Sequence, residues 1–295
     1  MQFFSLTGNP KIWYANCLSL SKHNDMKKSF FLLMAFPVIF YACTTNAVTG
    51  RKQLSLLPES QLQEMAITEY RSFLSQSKVV SNTTNKDAEM VRRVGSRIAN
   101  AITQYYTQQG KGDILSGYKW EFNLVDNKDV NAWCMPGGKV VVYTGLLPVA
   151  QNEAALAIVL GHEITHAVAN HGNERMSQGM ITQGLGAVGD VLTSGNSKVN
   201  SIFNGVFGPG SQIGFTLPNS RKQEYEADHF GLIFAAMSGY NPREAISFWQ
   251  RMSQAGGTNK PPEFLATHPA DENRIARLQG YMDEALKFYK PVSNK

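Results

Sequence analysis

The sequence predicts an α+β domain, mostly helical with one small β-sheet, and three observations carry that prediction. Helical patterns occupy 59–77 and 87–108, and in the second Met90, Val91, Val94, Ile98 and Ile102 recur as a core stripe. The period then changes: Tyr118–Val125 alternates, Pro136-Gly137-Gly138 punctuates, and Lys139–Tyr143 is β-branched, which reads as a pair of strands. From Asn152 onward the pattern is helical again. With 295 residues, 43% hydrophobic and 17% charged, the chain can bury a substantial core and shows neither disorder nor a repeat array. The net charge of +5 falls to about +2 once residues 1–42 are set aside, too little to argue for nucleic acid.

The N-terminal elements read as targeting rather than fold. Met26-Lys27-Lys28, the apolar run Ser29–Ala42 and then Cys43 form an export signal over 26–43, too short and too soon polar for a membrane span. Residues 1–25 precede a good start at Met26 and read as an over-extended gene start. Phe40-Tyr41-Ala42-Cys43 resembles a lipoprotein signal in which Cys43 is lipidated. With Cys17 lost and Cys43 acylated, Cys134 is left alone and no disulfide can form. Residues 44–57 read as a tether, and the globular domain, 58–290, starts at Pro58, a good first helical position.

Between the strands, Asn131–Gly138 is expected to form the rim of a cleft, and Cys134 reads as a small buried residue. The chemistry centres on Gly161-His162-Glu163-Ile164-Thr165-His166, inside a helix that Asn152 caps and whose apolar residues continue to Val168. At about 100° per residue, His162 and His166 fall about 40° apart on one face, so both imidazoles can bind one Zn²⁺, with Glu163 placed to deprotonate a water. A third protein ligand is needed. His171, nine residues beyond His162 and half a turn away, cannot supply it while the helix is intact. Gly172–Ser220, rich in Gly, Ser and Asn, reads as a mobile, partly helical flap. In Arg221–Gly231, Glu224 and Asp228 share a helical face, so Glu224 can reach zinc while Asp228 holds a liganding histidine by its other nitrogen. Glu226 and His229 face elsewhere and are discounted. Asn241-Pro242 starts a helix through Trp249, 256–262 is a loop, Asp271 caps a last helix with Ile275, Leu278, Tyr281, Met282 and Leu286, and residues from Lys287 read as a frayed tail.

His162-Glu163-x-x-His166 followed by Glu224-x-x-x-Asp228 within Glu-Ala-Asp-x-x-Gly resembles the HtpX and CAAX-prenyl-protease family of metallopeptidases, in its exported BepA-like branch. Asn131-Ala132, Pro136-Gly137-Gly138, Gly145-Leu146-Leu147, Thr267-His268-Pro269 and Arg274-Ile275 extend the match from about Gly50 to Tyr281. The resemblance implies a zincin-type fold, one zinc on His162, His166 and Glu224, and Glu163 as general base. By residue chemistry His268 is a loop residue or a helix-entry contact; the resemblance implies that it can occupy zinc's open position as a switch. Arg221 and Arg274 are candidate oxyanion donors. The expected protein is a zinc metalloendopeptidase of the bacterial envelope, lipid-anchored on the periplasmic face of the outer membrane, cutting unfolded or misassembled exported proteins. The alternatives are a chaperone-like assembly factor with a plugged or structural zinc site, and an aminopeptidase.

Overall fold

A computed structural model describes residues 43–81, 83–183, 197–208, 220–255, 262–268 and 273–291. The expected gene start and the signal up to Ala42 lie outside the described residues. Cys43 is an exposed thiol on the first strand.

The stretch expected to be a tether is largely folded. Strand β1 (Cys43–Thr45) pairs antiparallel with β2 (Lys52–Leu54). Asn46 holds the connection: its side-chain oxygen accepts from the N–H groups of Val48 and Thr49, and its amide donates to the Ala169 carbonyl at 2.6 Å. Short polar residues satisfy a turn as readily as they make a linker, which is why composition alone misread them.

Helix α1 (Glu59–Gln76) begins one residue after Pro58, which sits at the cap position. Helix α2 (Lys86–Gln108), capped by Asn85, buries Val91, Val94, Ile98 and Ile102, whereas Met90 is only partly covered. The sheet has four strands, β3 (Val79–Val80), β4 (Glu121–Val125), β5 (Ala132–Met135) and β6 (Lys139–Tyr143), in the order β3-β4-β6-β5. Strands β4 and β6 run parallel, and the other pairs are antiparallel. Strand β6 is buried throughout, as a β-branched run with neighbours on both sides should be. The expected rim thus contains a strand, β5, whose Ala-Trp-Cys-Met lacks the β-branched signal and which, among the described residues, lies at the edge of the sheet.

Helices α3 (Leu147–Ala150), α4 (Glu153–Val168), α5 (His171–Thr182), α6 (Ser197–Phe207), α7 (Ser220–Met237), α8 (Glu244–Gln254), α9 (Glu263–Thr267) and α10 (Arg274–Phe288) complete the domain. Helix α4 is mostly apolar and buried along nearly its whole length, the centre of the main core with α2, α7 and α8 about it. A second cluster joins α1, α5 and α6 through Leu62, Tyr70, Met176 and Phe203. The expected mobile flap is therefore partly built into the core: α5 and α6 bury Met176, Met180, Ile202 and Phe203, while 184–196 and 209–219 lie outside the described residues. Asp271 and 256–261 also lie outside them. Helix α10 runs past the expected start of the frayed tail, and the Phe288 ring packs on Tyr105 at 6.1 Å. Among the described residues no helix is long and apolar enough to cross a membrane.

Candidate metal centre

The site begins with the close crossing of α4 and α7. Asn152 accepts from the Ala155 N–H at 2.8 Å and starts α4 where the sequence places it. Further along, Gly161 and Gly231 bring the two backbones into contact: a Cβ on Gly161 would lie 2.6 Å from the Gly231 carbonyl oxygen, and one on Gly231 would lie 2.8 Å from the His162 nitrogen. Any larger pair would hold the helices apart. The crossing delivers Glu224 and Asp228, both on α7, to the histidines of α4.

The ligand atoms test whether zinc fits. His162 Nε2 and His166 Nε2 are 3.2 Å apart, and each lies 3.3–3.4 Å from a Glu224 carboxylate oxygen. Three ligands at about 2.0–2.1 Å around a tetrahedral ion are separated by about 3.3 Å, so the spacing matches. Glu224 Oε2 is buried without a hydrogen-bond partner, as an ion ligand would be. His268 joins them, and the ligand atoms of all four lie within 4.8 Å of one another. Two imidazoles, a carboxylate and a further imidazole form a donor set suited to zinc.

Each histidine of α4 is held from behind. His162 Nδ1 is 3.0 Å from Asp228 Oδ1, so its N–H donates to that carboxylate and Nε2 is left to face the ligand cluster. Arg274 donates to the same oxygen at 2.5 Å, and its guanidinium lies over the Trp249 ring at 3.3 Å. His166 is supported by His171, Nδ1 to Nδ1 at 2.9 Å, and His171 Nε2 is 2.9 Å from Glu226 Oε2. The sequence places His171 half a turn away on an intact helix. Instead α4 ends at Val168, Asn170 takes a left-handed backbone conformation (φ 52°), and the new helix brings His171 back under His166. Glu226, discounted as a ligand, is outside the ligand group but supports His171. His229 pairs with Glu284 at 2.7 Å and stacks on Tyr281.

Glu163 is buried in the adjacent cleft, and its Oε1 has no hydrogen-bond partner. Burial pushes its carboxyl up to about 8. Its Oε1 is 3.5 Å from His268 Nε2, and burial holds that imidazole down at about 3. Residues 131–136 and Phe207 wall the cleft. Neither expected oxyanion candidate lines it, since Arg221 is exposed and Arg274 lies behind Asp228. Arg175 does line it, with Nη2 3.3 Å from His166 Nδ1 and a buried Nε without a partner. Reading 172–220 as a flap concealed it, although its place one helical turn after His171 was a usable signal. Cys134 is buried on the cleft wall, its thiol pushed well up by burial, and stands outside the ligand group.

Two histidines and a carboxylate on crossing helices, with a free carboxyl beside them in a cleft, define a zinc-peptidase type of centre. The chain belongs to Peptidase family M48, whose model matches residues 85–282, and whose metallopeptidases depend on zinc. It is 33% identical over 186 residues to the mitochondrial metalloendopeptidase OMA1 of Saccharomyces cerevisiae, covering 60% of this chain and 51% of that protein. To the mitochondrial metalloendopeptidase OMA1 of Homo sapiens it is 30% identical over 309 residues, covering 97% and 58%. To the beta-barrel assembly-enhancing protease of Escherichia coli it is 33% identical over 165 residues, covering 53% and 33%. The chain thus spans between a third and three fifths of these relatives.

Proposed function

We propose that this chain is a zinc metalloendopeptidase that cuts unfolded or misassembled proteins at a cell-envelope membrane. The observation that carries this reading is Glu163, a buried carboxyl with an unpartnered oxygen, set beside the ligand cluster in a cleft walled by β5. His162, His166 and Glu224 would hold the ion. When bound, zinc supplies a Lewis acid for the scissile carbonyl and the attacking water. Glu163 takes the proton of that water and hands it to the leaving amine. An extended substrate adds to the edge of the sheet at β5, main chain to main chain. Arg175 lines the same cleft, and its guanidinium is the donor we assign to the developing oxyanion.

We further propose that the segment 26–43 is a lipoprotein-type signal, that Cys43 carries the lipid, and that the protein works on the periplasmic side of a bacterial envelope, as the BepA-like branch would. What supports this reading is the run Met26-Lys27-Lys28, the apolar stretch to Ala42 and the Cys43 that follows; the relatives include mitochondrial metalloendopeptidases as well as a beta-barrel assembly-enhancing protease. The chaperone-like reading draws on His268, which stands among the metal ligands and can plug the site.

The deciding experiment compares the purified full chain with its Glu163→Gln variant on unfolded casein, with and without chelator. Removal of the base should lower cleavage by about 10²–10⁴-fold while zinc stays stoichiometric. Wild-type cleavage by the variant would refute Glu163 as the base, and full complementation in cells by a variant that no longer cleaves would favour the assembly factor. Internal cutting of amino-acetylated peptides would exclude an aminopeptidase.

A further inference from the structure

The N-terminal hairpin lies outside the segment matched by the family model, yet it reaches the metal centre. Arg51, just before β2, donates from Nε to Glu226 Oε1 at 2.6 Å and from Nη2 to Glu226 Oε2 at 3.2 Å. It also grips Glu174 through Nη1 at 2.8 Å and Nη2 at 2.7 Å. A guanidinium forked across two carboxylates from α5 and α7 fixes both in orientation as well as in charge.

Tautomers then set the direction of the chain of bonds. A ring that offers Nε2 to the ion must carry its proton on Nδ1, so the His166 Nδ1–H has to find an acceptor. Arg175 nearby has no lone pair to give, which leaves His171 Nδ1 at 2.9 Å. His171 must then carry its own proton on Nε2, and that N–H donates to Glu226 Oε2 at 2.9 Å. Glu226 is the carboxylate that Arg51 holds.

We propose that Arg51 is a positioning residue for the metal centre, acting through Glu226 and His171 on the ring of His166. The arrangement parallels the support of His162 by Asp228 and Arg274, with one histidine more in the line. It makes the hairpin part of the metal site: the segment that follows Cys43 orients a ligand more than a hundred residues away. Outer partners of this kind typically change metal affinity about 10–100-fold.

The inference rests on the zinc site of the proposed function, and one set of variants separates the two. Zinc affinity of the full chain is measured by competition with a chromophoric chelator, and the cobalt-loaded protein gives a visible spectrum sensitive to ligand orientation. Glu224→Ala, which removes a ligand, should abolish tight binding; if it does not, the site itself is misassigned. With that established, His171→Ala should weaken zinc about 10–100-fold and alter the cobalt bands. Arg51→Gln should weaken it about 3–10-fold, and should add nothing in the His171→Ala background. If Arg51→Gln does not fold, Glu226→Gln replaces it in the same cycle with the same expectation. Zinc affinity within twofold of wild type, or an equal further loss in the His171→Ala background, would overturn the proposal.

Discussion

The crossing of α4 and α7 can be tested by making one substitution at two sites. Gly231→Ala adds a carbon that would sit 2.8 Å from the His162 nitrogen and 3.0 Å from its Cα, both backbone atoms that cannot swing aside. Ordinary contact begins near 3.4 Å, so the helices must part by roughly 0.6 Å along that line. Two effects of opposite sign compete. Alanine is favoured over glycine inside a helix by about 1 kcal/mol, whereas overpacking typically costs about 1–3 kcal/mol. Because the clash is with backbone that cannot swing aside, the cost falls at the upper end of that range and the second wins, for a net loss of up to about 2 kcal/mol. Because the displaced backbone carries His162, and ligand distances tolerate only about ±0.2 Å, zinc binding should weaken about tenfold as well. At Gly280, on the exposed side of α10, an added Cβ meets nothing within 4 Å. Gly280→Ala should therefore stabilise by about 0.5–1 kcal/mol and leave zinc affinity unchanged. Urea unfolding with chelator present, and chelator competition for zinc, read the two effects separately. Stabilisation by both substitutions, or wild-type zinc affinity in Gly231→Ala, would refute the account of the crossing.

Three further outcomes are expected. His268→Ala should keep zinc and raise basal cleavage of unfolded substrate if His268 acts as a plug; lost cleavage with zinc retained would assign it to substrate binding instead. Glu59, partly buried on α1 with Oε1 unpartnered, has its carboxyl raised by burial from 4.5 to about 7, so the fold prefers it protonated. Its ionisation therefore erodes stability as pH rises from about 4.5 to 7, by at most about 3 kcal/mol, and the loss levels off above pH 7. Glu59→Gln should remove that slope, and parallel stability–pH curves for the two proteins would contradict the assignment. Cys43→Ser should release the protein from membranes into the soluble fraction; retention with residues 26–42 attached would mean an uncleaved anchor.

Much of the site is written locally. His162, Glu163 and His166 lie within five residues of an apolar helix with its own cap, and Glu224 and Asp228 one turn apart on another, so spacing alone fixes which atoms share a face. The alternation in Tyr118–Val125 and the β-branched Lys139–Tyr143 likewise announce the strands that pair as β4 and β6. Periodicity describes a side chain only relative to its own axis, however, and it is lost wherever the backbone resets that axis. Asn170 does so with a single left-handed residue, turning His171 from a residue facing away into the support of His166. Arg51 and Glu226 are 175 positions apart, and Arg51 and Glu174 are 123 apart, so no local pattern could pair them. The same holds for Gly161 and Gly231, whose lack of side chains is legible but whose mutual contact is not. The sequence names the metal ligands because their chemistry is confined to short helical segments; tertiary packing chooses what stands behind them, because that depends on how close two helices can come and at what angle.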